Sequence, residues 1–334
     1  LLENAVDAGA DRITVEILGG GMTFLRVADN GCGMSREDAE VAFLRHATSK
    51  LRTAEDLSAI GTMGFRGEAL AAIGAVCKLK MFSRTADSQM GNLMTCEGGE
   101  IIDIIETGCA KGTTVTVSEL FYNVPARRKF LKKDASEGAA VTAVMEKIAL
   151  SSPNVSIKYI IAGEVRFLTS GDGDLKGTVY SVFGKEVAKR MIPVERTDGN
   201  GIRISGYIGE SDLVRANKNS ENFFINGRFI KSRTAMAAIE QAYSTRIPSQ
   251  RFPVCILNII LNPATVDVNV HPSKLEVKFA NERIIFEAVY YAVLNALENS
   301  TSRPELAIPG MKTETKKTDF TPYVRPINTV QPEK

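Results

Sequence analysis

Gly61-Thr62-Met63-Gly64-Phe65-Arg66-Gly67-Glu68-Ala69-Leu70 decides how this 334-residue chain is read. Three glycines lead straight into an Ala-rich pattern, Glu68 to Val76, that predicts a helix. Backbone N–H groups at a helix start, together with the helix dipole, favour a phosphate. A glycine-rich flexible loop without any ligand accounts for the same residues. Just upstream, Thr48-Ser49-Lys50 offers two hydroxyls and a positive charge, and residues 45 to 68 together read as one long loop. Moving outward, Asp29-Asn30-Gly31-Cys32-Gly33-Met34 follows a strand pattern and fits either a plain turn or a ligand contact. Asn4 and Asp7 stand one helical turn apart, hence on one face. Gly112-Thr113-Thr114 opens another strand pattern. There is no G-x-x-x-x-G-K-[ST] run, and Gly31 and Gly33 do not extend to G-x-G-x-x-G, so neither common nucleotide fingerprint applies.

Around these pieces the periodicities predict an α+β chain. Arg12 to Ile17 alternates as a strand, Gly19-Gly20-Gly21 turns, and Thr23 to Val27 alternates back. Ser35 caps a helix with Asp38 as its acidic partner, and Val41, Phe43 and Leu44 are expected on that helix. Further strands are expected at residues 113–117 and 156–161, with a helix through Ala139, Val144 and Ile148. Gly171-Asp172-Gly173-Asp174 is the best boundary signal. Beyond it come a short helix over 178–183, strands at 202–208, 222–225, 254–261 and 267–270, and helices at 233–243 and 282–297. The expected division is residues 1–170, residues 171–300 and a Lys/Thr/Glu/Pro-rich flexible linker at 301–334. Phe43-Leu44 and Tyr290-Tyr291 read as core.

Composition narrows the class. Forty-one Lys and Arg against 39 Asp and Glu leave a net charge of +2, so any nucleic-acid or membrane surface must be local. The longest apolar runs are a few residues, too short to span a bilayer, and no membrane partner is expected. Five separated cysteines without a CxxC pair argue against a disulfide framework or a zinc site and favour a reducing, cytoplasmic setting. Two histidines, His46 and His271, are too few for a multi-histidine metal site. Arg127-Arg128-Lys129 with Lys132-Lys133 is a local basic cluster, read either as a phosphate contact or as a solvated face.

In this order, the four pieces resemble the GHKL ATPases. Longer runs narrow the resemblance to the MutL family of mismatch-repair ATPases: His46 to Lys50, Gly64 to Leu70, Leu120 to Phe130, Phe224 to Arg228 and Asp267 to Lys274. The likeness runs from Leu1 to about Leu297. It implies a GHKL (Bergerat-type) α/β sandwich followed by a ribosomal-protein-like βαβ domain, binding ATP with Mg²⁺. By resemblance, Asn4 helps hold the metal, Asp29 accepts from the adenine amino group, Gly33 gives close approach to the base and Thr113 supports the adenine. Thr48, Ser49 and Lys50 with Gly64, Phe65, Arg66, Gly67 and Glu68 wrap the triphosphate, and Lys274 reaches the γ-phosphate as the catalytic charge. The family's general-base glutamate would stand one residue before Leu1, so the chain as written is expected to be impaired in turnover, and a further domain is expected beyond Lys334. The likeness also implies sequence-independent contact with double- or single-stranded DNA through Arg233, Arg127 and Arg128. Its implied partners are the mismatch-recognition protein MutS and a second copy of the chain as a homodimer, in a nucleoid-associated cytoplasmic setting. A gyrase-B-like topoisomerase subunit and a non-hydrolysing nucleotide-dependent scaffold are the competing readings.

Overall fold

Alternation of apolar residues builds two sheets, each with its own core. The structure is a computed structural model that describes residues 1–43, 69–267 and 277–300. Its first sheet has eight strands: β1 (Arg12–Leu18), β2 (Phe24–Asp29), β3 (Lys78–Arg84), β4 (Gly91–Glu97), β5 (Glu100–Thr107), β6 (Gly112–Ser118), β7 (Ser156–Ile161) and β8 (Glu164–Leu168). They lie in the order β5-β4-β3-β6-β2-β1-β7-β8, with only the β1–β7 pair parallel. One register row runs Tyr159, Val15, Val27, Val115, Met81 and Met94 across six strands. All six side chains are buried. Because side chains alternate faces, this row and those two residues away along each strand share the covered side.

Helices α1 (Leu2–Asp7), α2 (Arg36–Val41), α3 (Ala69–Gly74), α4 (Pro125–Arg128) and α5 (Asp134–Ser151) accompany this sheet. Two apolar clusters contribute to its core. One joins Leu2 and Ala5 of α1 to Ile13, Ile17, Ile157, Met145 and Ala149. The other joins Ala39 and Phe43 to Leu79, Cys96 and Val117. Ser35 caps α2 as expected, its Oγ accepting from the Asp38 N–H at 3.1 Å. The helix, however, ends at Val41 with Ala42 as its C-cap, so Phe43 is buried beyond the helix rather than on it. Leu44 lies outside the described residues.

The second sheet contains β9 (Met191–Thr197), β10 (Arg203–Gly209), β12 (Glu221–Ile225), β13 (Arg228–Ile230) and β15 (Cys255–Ile260), in the order β13-β12-β15-β10-β9. Short ribbons pair β11 (Val214–Arg215) with β14 (Phe252–Pro253) and β16 (Val266–Asp267) with β17 (Lys278–Phe279). Strands β12 and β15 are parallel, and α8 (Arg233–Tyr243) lies in the crossover between them. Every residue of β12 is buried, as expected of a strand covered on both faces. Phe223, Ile225, Leu257 and Ile259 face α8 and α9 (Glu282–Ser300). Phe224 and Ile256 face the opposite cluster, which includes Val179 of α6 (Leu175–Phe183) and Ala188 of α7 (Lys185–Lys189). Asp174, the last residue of the boundary signal, caps α6 through bonds from the Lys176 and Gly177 N–H groups, both 2.9 Å. Tyr291 departs from its expected place in the core: it is 47% exposed, with the Arg196 guanidinium 5.3 Å from its ring centre.

Candidate functional site

Where the buried row of the first sheet ends, polar residues take over its positions. Val27 is followed two residues later by Asp29, Met81 by Ser83, and Val115 is preceded two residues earlier by Thr113. Register places Thr113 opposite both Asp29 and Ser83. Three polar side chains therefore stand side by side on the covered face, at the strand ends nearest the Asp29–Met34 turn.

Their bonds are specific. Asp29 Oδ1 accepts the Gly31 N–H at 2.9 Å and the Thr113 N–H at 3.2 Å, while no described residue donates to its second oxygen. Burial pushes this half-buried carboxyl up from its ordinary range, and the two N–H donors oppose the shift. Ser83 is 1% exposed and receives the Met34 N–H at 2.8 Å. Its Oγ lies 3.0 Å from Thr113 Oγ1 and 3.3 Å from the Gly112 carbonyl. Ser83 escaped the sequence reading, although the alternation Leu79-Met81-Ser83, which puts a hydroxyl at an inward position, was the signal that marks it.

Glycines let these segments converge. At Gly112 (φ +108°) a Cβ would stand 2.1 Å from the Asp29 carbonyl, and at Gly33 (φ +70°) it would stand 2.1 Å from the Arg84 carbonyl. Gly33 is thus demanded by the end of β3, whatever approach it also permits to a ligand. The C-terminal end of α1 closes the other side: the Ala8 carbonyl accepts from Cys32 N–H at 3.0 Å, and the Asn4 carbonyl accepts from Ala8 N–H at 2.9 Å. Asn4 therefore lies one turn before the residue that touches the Asp29–Gly33 turn, and its side chain makes no hydrogen bond to a described residue. A neighbouring cavity of about 350 Å³, lined by residues including Met34, Arg36, Arg84 and Asn92, contains neither Asp29 nor Thr113.

The structure thus brings together Asp29, Gly33 and Thr113, with Asn4 on the adjoining helix. Thr48, Ser49, Lys50, Gly64, Phe65, Arg66, Gly67, Glu68 and Lys274 lie outside the described residues, as do His46 and His271. Arg127 and Arg128 are exposed on α4, and Arg233 is exposed on the first turn of α8. A cation there opposes the helix dipole, so stability of the helix does not explain it. Among the described residues no three His, Cys, Asp or Glu side chains gather as a metal centre, and no helix is long and apolar enough to cross a membrane.

Residues 1–100 match the histidine kinase-, DNA gyrase B- and HSP90-like ATPase family, and residues 179–298 match the DNA mismatch repair protein, C-terminal domain. The MutL of Caldanaerobacter subterraneus subsp. tengcongensis is 44% identical over 308 residues, 92% of this chain and 52% of that protein. The chain belongs to the MutL family. A solved N-terminal domain of a DNA repair protein, 26% identical, superposes with a TM-score of 0.75 over 92% of this chain and 94% of that one. The Aquifex aeolicus MutL ATPase domain complexed with ADP, 25% identical, does so with a TM-score of 0.61 over 86% and 92%. The α+β fold combines a GHKL ATPase region with the C-terminal domain of the mismatch-repair family. This chain spans about half the length of the curated relatives it matches.

Proposed function

We propose that the chain is the nucleotide-binding half of a MutL mismatch-repair ATPase, and that Asp29 reads the adenine. The observation that carries this is the carboxylate itself, anchored through one oxygen by Gly31 and Thr113 and left with a second oxygen for a ligand. An exocyclic amine donates to that oxygen, whereas the carbonyl of guanine at the same place meets a like partial charge. The residues present fit an adenine nucleotide: an open acceptor, a hydroxyl at Thr113 and a tight glycine turn stand at one strand end. Asn4 supplies the hard oxygen donor suited to Mg²⁺. Thr48-Ser49-Lys50 and the Gly64–Glu68 run are assigned to the phosphates from sequence, and Lys274 to the terminal phosphoryl group as a fixed positive charge. Bound ATP would supply the free energy of phosphoanhydride hydrolysis. The chain's own residues bind and orient the base.

Asp29→Asn is the sharpest test. Asparagine keeps an oxygen for Gly31 and Thr113 and turns the open position into a donor facing a donor. ATP affinity should fall about a hundredfold, the scale of a lost charged hydrogen bond with an unmatched donor. Unchanged affinity in a calorimetric titration would remove the adenine assignment.

We further propose that nucleotide draws two copies together and that the pair engages DNA and MutS to link mismatch recognition to strand incision. The resemblance supports this, with Arg127, Arg128 and Arg233 as exposed cations. Contacts limited to phosphates make binding fall steeply with salt. Arg127→Ala and Arg128→Ala should each lower the slope of log affinity against log salt by about one, equally for unrelated sequences. A slope that does not move returns these arginines to a solvated face. ATP turnover measured beside nucleotide-induced dimerisation separates the ATPase from a scaffold that binds without hydrolysing.

A further inference from the structure

The buried hydroxyl of Ser83 has one proton and two oxygens to give it to. Met34 N–H already donates to Ser83 Oγ at 2.8 Å, so this oxygen is an acceptor on that side. On the other side, Gly112 O lies at 3.3 Å and Thr113 Oγ1 at 3.0 Å. When Ser83 donates to Gly112, its oxygen is open to the Thr113 proton, and a threonine that donates inward shows the ligand an acceptor. When Ser83 donates to Thr113, the threonine proton is released outward and the ligand meets a donor. Nothing else described donates to Thr113 Oγ1, and Ser83 is sealed from water, so this choice rests on Ser83.

We infer that Ser83 is a specificity-positioning residue whose hydroxyl proton sets the polarity that Thr113 presents to a purine. The inference rests on the adenine reading given above. Adenine pairs an amino donor with a neighbouring ring-nitrogen acceptor, N1, so Asp29 and Thr113 must offer an acceptor and a donor side by side. Ser83 donating to Thr113 produces that pattern. A single relaying water between Thr113 and N1 passes it on unchanged, accepting from the threonine and donating to the ring. Guanine carries the opposite pattern, with a ring N–H and a carbonyl, and fails at both positions. Selectivity for adenine is thereby shared between a charge at Asp29 and a proton whose direction is fixed by a residue that never touches the base.

A merely structural role for Ser83 predicts something else. Losing the Met34 bond would weaken every nucleotide alike, whereas losing the polarity relay changes the ratio between nucleotides that differ only at N1. The test is calorimetric titration of the full chain with ATP and with 1-deaza-ATP, in which N1 is a C–H and the amino group is kept. The wild-type chain should prefer ATP about tenfold, the value of one hydrogen bond at 1.4 kcal/mol per decade. In Ser83→Ala the preference should shrink to about threefold or less, and Thr113→Ala should show the same collapse. Ser83→Gly, which removes the hydroxyl without adding bulk, repeats the measurement should the alanine variant unfold. A preference that stays near tenfold in the folded Ser83 variants, with Asp29→Asn still weakening ATP binding about a hundredfold, overturns the inference and spares the adenine reading. If Asp29→Asn binds ATP normally, the reading itself falls.

Discussion

Ser83 and Glu221, one in each sheet, are buried in opposite ways. In the first, Ser83 is sealed in yet meets three partners, and the Asp29 carboxylate is anchored by two N–H groups. In the second, Glu221 is 6% exposed and neither carboxylate oxygen has a hydrogen-bond partner among the described residues. Burial, seconded by Glu240 and opposed by Lys218, pushes its carboxyl up to about 8. A satisfied polar row holds a fixed arrangement of donors and acceptors, which is what recognition needs. An unsatisfied carboxyl in a core instead stays protonated and makes stability depend on pH.

Glycine substitutions should separate the sheets most strongly. Gly112 on β6 and Gly206 on β10 are equivalent devices, with φ of +108° and +135°. A Cβ would stand 2.1 Å from the Asp29 carbonyl at the first and 2.0 Å from the Ile256 carbonyl at the second, each on a neighbouring strand. Alanine at either position should cost about 3 kcal/mol or more in denaturant unfolding, through the clash and the left-handed backbone. Only Gly112→Ala displaces Asp29 and Thr113, so only it should abolish nucleotide binding by the folded fraction. If Gly206→Ala weakens nucleotide binding as much, the division of labour between the sheets is wrong.

How much of this was legible in sequence follows from the range of each interaction. The β1–β2 hairpin and the Ser35 cap were readable because periodicity and capping involve residues within a few positions of each other. The fold class was readable because long runs resemble one family, and the same runs single out Asn4, Asp29, Gly33 and Thr113 as candidates. Ser83 was not, since its partners Met34 and Thr113 lie 49 and 30 residues away and a serine in a strand is ordinary until the register is known. Phe43 and Tyr291 were misplaced for a related reason: an apolar residue near a helix satisfies the same pattern whether it lies on the covered face, beyond the last turn or at the rim. Glu221 gave no warning at all, because a single charge inside Glu221-Asn222-Phe223-Phe224-Ile225 reads as the strand's first exposed residue.

Glu221 sets the next largest effect. Its folded value, about 8, lies above the usual 4.5 for a glutamate, so between those limits the native state keeps a proton that the unfolded chain has released. Stability therefore falls as pH rises through this window and levels off above it. The ceiling is about 5 kcal/mol, and relaxation with water entry brings the expected loss between pH 5.5 and 8.5 to about 2 kcal/mol. Glu221→Gln should flatten the profile and be the more stable protein at pH 8.5. Parallel profiles for the two proteins in urea would show that the carboxyl is solvated after all.

The smallest effect, at Tyr291, distinguishes rim from core within the second sheet's helices. Tyr243 of α8 is 1% exposed, and its hydroxyl donates to the Gly209 carbonyl. Tyr291 of α9 is 47% exposed and stands edge-on to Tyr290 with Arg196 over its ring. Removing a buried aromatic leaves a cavity and an orphaned carbonyl, so Tyr243→Ala should cost about 4 kcal/mol. Tyr291→Ala forfeits a partly solvated cation–π contact and some half-covered area, about 1 kcal/mol in all. Raising the salt concentration should leave that small Tyr291 loss intact, because the cation sits over a ring face rather than beside a carboxylate. A Tyr291→Ala loss approaching that of Tyr243→Ala in matched urea titrations would put Tyr291 back in the core where its sequence neighbours suggested it belonged.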